Sequence, residues 1–321
     1  MRGVCNLQTS RMNGAVVVDK PSGPTSRDVV EEVKRALGVR RAGHTGTLDP
    51  LATGVLPVCV GEATKLVQFL ALDDKEYLAT LRLGVRTDTL DTDGRVVSRE
   101  EPRVTREQVE AALSGLTGRR EQVPPRYSAV KVRGKALYDW ARRGIDVEAP
   151  PREVEIYRIR IEEIRLPDVT FAVSCSKGTY IRSLCADAGD ALGCGGCMAA
   201  LRRTRSGPFR EETAVALAGL TEAEKRERLT ARLLSPAELL PDVAVIDVDP
   251  PLAERLRNGF QPDGESLIRH HIPFLVAGDV IKFTTGSKHL VAVARMLCAS
   301  DELASRARKE QAVRILRVLN G

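Results

Sequence analysis

The chain has 321 residues, 43% of them hydrophobic and 29% charged, a balance that excludes wholesale disorder and gives room for a sizeable core in about two domains. No apolar run approaches the roughly 20 residues that span a bilayer, and the N-terminus shows no apolar stretch of a secretion signal, so a cytoplasmic location away from membranes is expected. Lys and Arg exceed Asp and Glu by 49 − 43 = 6, an excess that favours a polyanionic partner.

In chain order, Val16-Val17-Val18 reads as a strand and Lys20-Pro21-Ser22-Gly23-Pro24 as a turn. Ser26 then caps a helix with the apolar stripe Val29, Val30, Val33 and Leu37, and Gly38 ends it. After a glycine-rich segment at 43–54, Val55-Leu56-Pro57-Val58-Cys59-Val60 reads as a buried strand. Tyr77, Ala79, Leu81 and Leu83 alternate as another strand. Thr105 with Gln108 forms a capping box before a helix carrying Val109, Ala112, Leu113 and Leu116. Val169, Phe171, Val173 and Cys175 alternate again, and the hairpin-like spacing over 156–173 predicts a mixed, largely antiparallel sheet in an α/β (α+β) unit. A charged helix over 221–234 and a proline-punctuated connector follow. A second unit is expected from about Val243, with a short helix at 252–257, a Gly259 stop, and strands at 274–276, 279–284, 290–297 and 313–318. That pattern suits a small β-rich, barrel-like module.

The segment Gly43-His44-Thr45-Gly46-Thr47-Leu48-Asp49-Pro50-Leu51-Ala52-Thr53-Gly54 carries the densest chemistry. Pro50 biases Asp49 toward extended dihedrals, and Gly43, Gly46 and Gly54 permit backbone shapes or close approaches that a Cβ forbids. The following strand gives this aimed carboxylate a rigid support. As one uninterrupted string the segment resembles the active-site motif of bacterial tRNA pseudouridine synthases of the TruB type. The resemblance implies a pseudouridine synthase fold, isomerisation of uridine-55 in the T arm of tRNA, Asp49 as nucleophile, and His44 as the residue that intrudes into the RNA loop.

Ser176-Lys177-Gly178-Thr179-Tyr180-Ile181-Arg182 follows the 169–175 strand. Read as extended chain, it sends Tyr180 and Arg182 to one side and Ile181 to the core. This segment also resembles the family, which implies that Arg182 pairs with Asp49 and that Tyr180 lines the uracil pocket. By the same resemblance Tyr77 stacks on the target base, Leu201 closes the pocket, and the segments 19–21 and 124–131, with Lys20 and Lys131, buttress it and complete the substrate contacts. Base flipping supplies the access such chemistry needs. Arg40 and Arg41, Lys131, Arg133 and Lys135, and Arg202, Arg203 and Arg205 bracket these segments as candidate phosphate contacts. The resemblance extends to a PUA-type RNA-binding domain after the catalytic one, giving domains at 13–240 and 243–321.

Seven cysteines form no even disulfide framework. Cys194-Gly195-Gly196-Cys197 lacks a second CxxC or a nearby His pair and reads as a helix-ending glycine turn rather than a zinc site. Residues 89–94 with Glu100 brush against a calcium-loop pattern, but Thr89 occupies the first ligand position. A monomer acting on tRNA without metal or cofactor is expected. Two rivals stand beside it: a non-catalytic RNA-binding or tRNA-chaperone protein on the same scaffold, and a glycosidic hydrolase pairing Asp49 with Asp91.

Overall fold

The computed structural model describes residues 12–286, 289–305 and 310–320, so Cys5 lies outside it. Strand β1 (Gly14–Lys20) is followed by helix α1 (Ser26–Leu37), β2 (Ala42–His44) and β3 (Thr53–Val60). A short α2 (Val67–Leu70) leads to β4 (Lys75–Leu83), the small hairpin β5 (Val85–Thr87) and β6 (Val96–Arg99), α3 (Arg106–Ser114) and β7 (Gly118–Gln122). The hairpin β8 (Lys131–Val132) and β9 (Lys135–Ala136) and the turn of helix α4 (Leu137–Ala141) precede the long pair β10 (Arg152–Arg165) and β11 (Asp168–Cys175). Then come α5 (Ile181–Ala191), β12 (Gly196–Ser206), β13 (Phe209–Arg210) and α6 (Glu222–Ala231). The last stretch holds β14 (Ala244–Asp247), α7 (Pro250–Arg257), β15 (Val280–Thr285), β16 (His289–Met296) and β17 (Val313–Val318).

The main sheet runs β1-β3-β12-β4-β11-β10-β7, with β2 attached to β3 and β13 to β12. Its one parallel pairing, β12 with β3, sets Arg202 opposite Thr53 and Arg203 opposite Gly54, whereas the other pairings are antiparallel. The sheet is therefore mixed and largely antiparallel. A separate sheet, β14-β15-β16-β17, makes the C-terminal part β-rich.

Strand alternation explains how the two sheets meet. In β1, Val16 and Val18 join the large core under α1, α3 and α5, while Ala15 and Val17 point the other way. Strand β3 divides alike, with Leu56, Val58 and Val60 on one face and Val55 and Cys59 on the other. The second face packs against Leu239, Leu240, Leu290, Val293 and Leu319, which tie the C-terminal sheet to the back of the main one. Both faces are buried, so β1 and β3 read as continuous apolar runs. Strand β11, buried at every second residue, shows the one-sided pattern instead.

Several local expectations change. Thr25, not Ser26, is the α1 N-cap, accepting from the Asp28 amide in a full capping box. The Ser26 hydroxyl is drawn off to Leu48, whose carbonyl it meets at 2.9 Å and whose amide it meets at 2.8 Å. Residues 274–276 form no strand: the Leu275 amide donates to the Ser300 hydroxyl and the Val276 amide to Asp279, so side chains satisfy the backbone there. The unforeseen β14 pairs parallel to β15. Of the three motif glycines only Gly54 has a positive φ, +96°, and a Cβ there would overlap the Arg203 carbonyl of the parallel partner. Gly193 to Gly195 do form the expected glycine turn after α5, with φ +78° at Gly193 and +75° at Gly195, and Gly196 and Cys197 already open β12.

Removing residues 243–321 would strip Leu290, Val293 and Leu319 from the back of β1 and β3. The truncated chain should bind a hydrophobic dye and melt at least about 5 °C lower, since each lost large apolar contact is worth on the order of 1–3 kcal/mol. A truncated chain with an unchanged melting temperature would contradict this coupling.

Candidate active site

The motif loop lies between β2 and β3, whose antiparallel register sets His44 opposite Val58. It is fixed from below by Lys20. Strand β1 delivers this side chain to a fully buried position, where its ammonium donates to the carbonyls of Pro21 at 3.0 Å, Pro50 at 3.1 Å and Ala52 at 2.7 Å. Gly23 donates to the Pro50 carbonyl as well, at 2.9 Å. This side of the loop is thereby tied to the end of β1 and the turn that follows it.

Arg182 meets this loop from the opposite wall. Its Nε lies 2.9 Å from Asp49 Oδ2, its Nη1 donates to the Thr89 carbonyl at 3.1 Å, and its Nη2 donates to the Tyr127 carbonyl at 2.8 Å. Asp91 Oδ2 stands 3.7 Å from Nη1. The Arg182 side chain is 5% exposed against 34% for Asp49, so the carboxylate alone reaches the opening. The extended reading of 180–182 does not hold. Gly178, at φ +82°, turns the chain after β11, and Tyr180 becomes the N-cap residue of α5 with Arg182 in its first turn. The stripe Ile181, Leu184, Cys185 and Ala188, at helical spacing, was the overlooked signal.

These groups surround a cavity of about 300 Å³ lined by Asp49, Arg182, Tyr77, Tyr180, Leu201 and Arg203 among others. Gln122, at the end of β7, holds the Tyr180 backbone on both sides, accepting from its amide at 2.7 Å and donating to its carbonyl at 3.0 Å. Burial pushes the Tyr77 phenol up to about 12, so it keeps its proton at neutral pH. Asp91 is raised chiefly by burial, against the lowering effects of the Thr89 hydroxyl and Arg182. The hydroxyls of Thr45 and Ser128, both on the cavity wall, are buried and unpartnered among the described residues.

The structure thus brings together Asp49, Arg182, Tyr77, Tyr180 and Leu201. His44, Lys20 and Lys131 do not line the cavity. His44 is half-buried behind it, with burial and then Arg203 lowering its pKa, so the imidazole is neutral at pH 7. Lys20 serves the loop, and Lys131 is exposed on the β8–β9 hairpin. The Arg202 cluster is not a free phosphate grip. Arg202 is engaged by Asp19 and Glu211, Arg205 by Glu76, and Arg203 is 1% exposed. Sequence reading missed Lys75 and Arg203 as cavity residues, although each stands two positions from one already assigned, Tyr77 and Leu201, on an alternating strand.

Fold and site together define the pseudouridine synthases, a class of RNA-modifying isomerases. The whole chain is similar to the structure described as an archaeal box H/ACA sRNP Nop10-Cbf5 complex, with TM-score 0.71 and 28% identity over 97% of this chain and 87% of that one. It is also similar to an H/ACA RNP bound to a substrate RNA containing 2'-deoxyuridine, with TM-score 0.70 and 27% identity over 98% and 86%. Residues 34–181 match the TruB family pseudouridylate synthase (N terminal domain), and residues 182–240 match the tRNA pseudouridylate synthase B C-terminal domain. The tRNA pseudouridine synthase B of Syntrophus aciditrophicus (strain SB) is 56% identical over 309 residues, 96% of this chain and 99% of its own. That of Geobacter sulfurreducens is 45% identical over 257 residues, 80% of this chain and 84% of its own. The chain belongs to the TruB family of tRNA pseudouridine synthases.

Burial draws the Lys20 ammonium down to about 8, against Asp49, which raises it. The charged form offers three N–H donors for three carbonyls and the neutral amine only two. As pH rises through about 8, one carbonyl therefore loses its donor and the Asp49 loop loosens. Single-turnover rates should fall over that interval. Lys20→Met has no proton to lose, so its lower rate should be flat from about pH 7 to about 9.5; an unchanged basic limb in Lys20→Met would exclude Lys20 as its source.

Proposed function

We propose that this chain isomerises uridine-55 in the T arm of tRNA, taking the uridine out of its loop and using Asp49 as the nucleophile. The observation that carries this reading is the 2.9 Å pair between Arg182 Nε and the half-exposed Asp49 at a cavity of about 300 Å³, room enough for a flipped-out base. The adjacent guanidinium fixes the orientation of the carboxylate that attack requires. Pseudouridine formation breaks the N-glycosidic bond, turns the base and joins its C5 to the sugar; the C5 proton leaves and N1 gains one. Reactant and product are isomers, so no cofactor enters the balance.

In this reading Tyr77 and Tyr180 hold the uracil, Leu201 closes over it, and neutral His44 occupies the space the base leaves. Residues 13–240 form the catalytic unit and 243–321 a PUA-like RNA-binding one, in a cytoplasmic monomer. The exposed Arg40 and Lys131 supply phosphate contacts, so the affinity for tRNA should fall linearly in a log–log plot against salt, and a flat plot would contradict it.

Asp49→Asn preserves shape and should cut the single-turnover rate by more than about a thousandfold while tRNA affinity stays within about tenfold. Arg182→Lys should also be severely slowed, because an ammonium cannot serve Asp49 and the carbonyls of Thr89 and Tyr127 in one plane. Formation of pseudouridine near the wild-type rate by folded Asp49→Asn would overturn the catalytic reading in favour of RNA binding alone.

A further inference from the structure

Arg203 is 1% exposed, the largest of the fully buried side chains among the described residues, and its burial withdraws it from the phosphate contacts expected of the basic run. It stands directly opposite Tyr77 in the β12–β4 ladder, and both line the cavity. Its Nε donates to the Val55 carbonyl at 2.7 Å and its Nη2 to the Gly46 carbonyl at 3.1 Å. Those carbonyls flank the Asp49 loop on either side. Burial lowers the pKa of the guanidinium, a fall that its interaction with the Tyr77 hydroxyl opposes, and the two carbonyls hold it in place.

We propose that Arg203 is a positioning residue for the reaction, joining both ends of the Asp49 loop to Tyr77 and directing the Tyr77 hydroxyl hydrogen into the base pocket. An arginine has donors and no acceptor, so toward Arg203 the phenol oxygen accepts. Its own hydrogen is left to donate elsewhere, and the cavity is the open side. The proton stays on the phenol at working pH because burial raises its pKa to about 12. One cation then sets the distance between carboxylate and base as well as the orientation of the donor on the base. The inference rests on the reading of Tyr77 as a base-contacting residue.

A double-mutant cycle with full-length protein and tRNA separates this role from general support. Arg203→Lys should lower the single-turnover rate tenfold or more with tRNA affinity within threefold, and in a Tyr77→Phe background the same change should cost less than threefold. Equal losses in both backgrounds overturn the proposal. Tyr77→Phe turning over at the wild-type rate would instead remove the reading of Tyr77 on which it rests. A second measurement does not depend on the folding of Arg203→Lys: in arginine-labelled protein, the slowly exchanging Nη signals of Arg203 should shift on Tyr77→Phe. Unchanged signals overturn the proposal.

Discussion

The planar fork of Arg182 is the constraint around which the site is assembled. One guanidinium faces Asp49, the Thr89 carbonyl, Asp91 and the Tyr127 carbonyl, and so brings three loops and α5 to a common plane. Its directional hydrogen bonds fix angles as well as distances. The loop at 87–94 is held for this purpose in an unusual shape, with Leu90 at φ 64° and its carbonyl accepting from Met198 at 3.0 Å. A non-glycine residue costs roughly 1–2 kcal/mol there, and the surrounding bonds sustain it.

Three cations stand around the single half-exposed carboxylate, each satisfied differently. Arg182 is matched by carboxylates and carbonyls, Lys20 by three carbonyls, and Arg203 by two carbonyls and a phenol. Carbonyl partners hold a cation in place without neutralising its field. Positive charge therefore persists beside Asp49, and beside the phosphate-rich substrate that the proposed function brings to it. Burial, helped by the charge of Arg203, keeps His44 and Lys75 below their ordinary pKa values.

Much of this was legible in the sequence where a local rule sufficed. Alternation located β4 and β11, the Thr105–Gln108 box located α3, and Gly38 did end α1 in a left-handed C-cap. What escaped depended on contacts between distant segments. Ser26 has the same capping chemistry as Thr25, and only the approach of Leu48 takes its hydroxyl away. Arg202 and Arg203 look alike in a basic run, yet the pleat sends one to Asp19 and the other into the core. The helical start of α5 moved Arg182 off the expected strand geometry without separating it from Asp49, since the first turn of a helix can aim a long side chain as well as a strand can.

Strands β1 and β3 have no solvent face. One side of each packs into the core beneath the active site and the other against the C-terminal sheet, and the end of β1 supplies the lysine that grips the Asp49 loop. Apart from Asp19 and Thr53 near their ends, no position on these strands can therefore absorb a change of side-chain volume by relaxing into water. Any such change is felt at once by a carboxylate on one side and by a second sheet on the other. Drift of the sequence is open to the surface of β10 and to α6, while the pair of strands holding the chemistry can vary only together with partners that lie far along the chain.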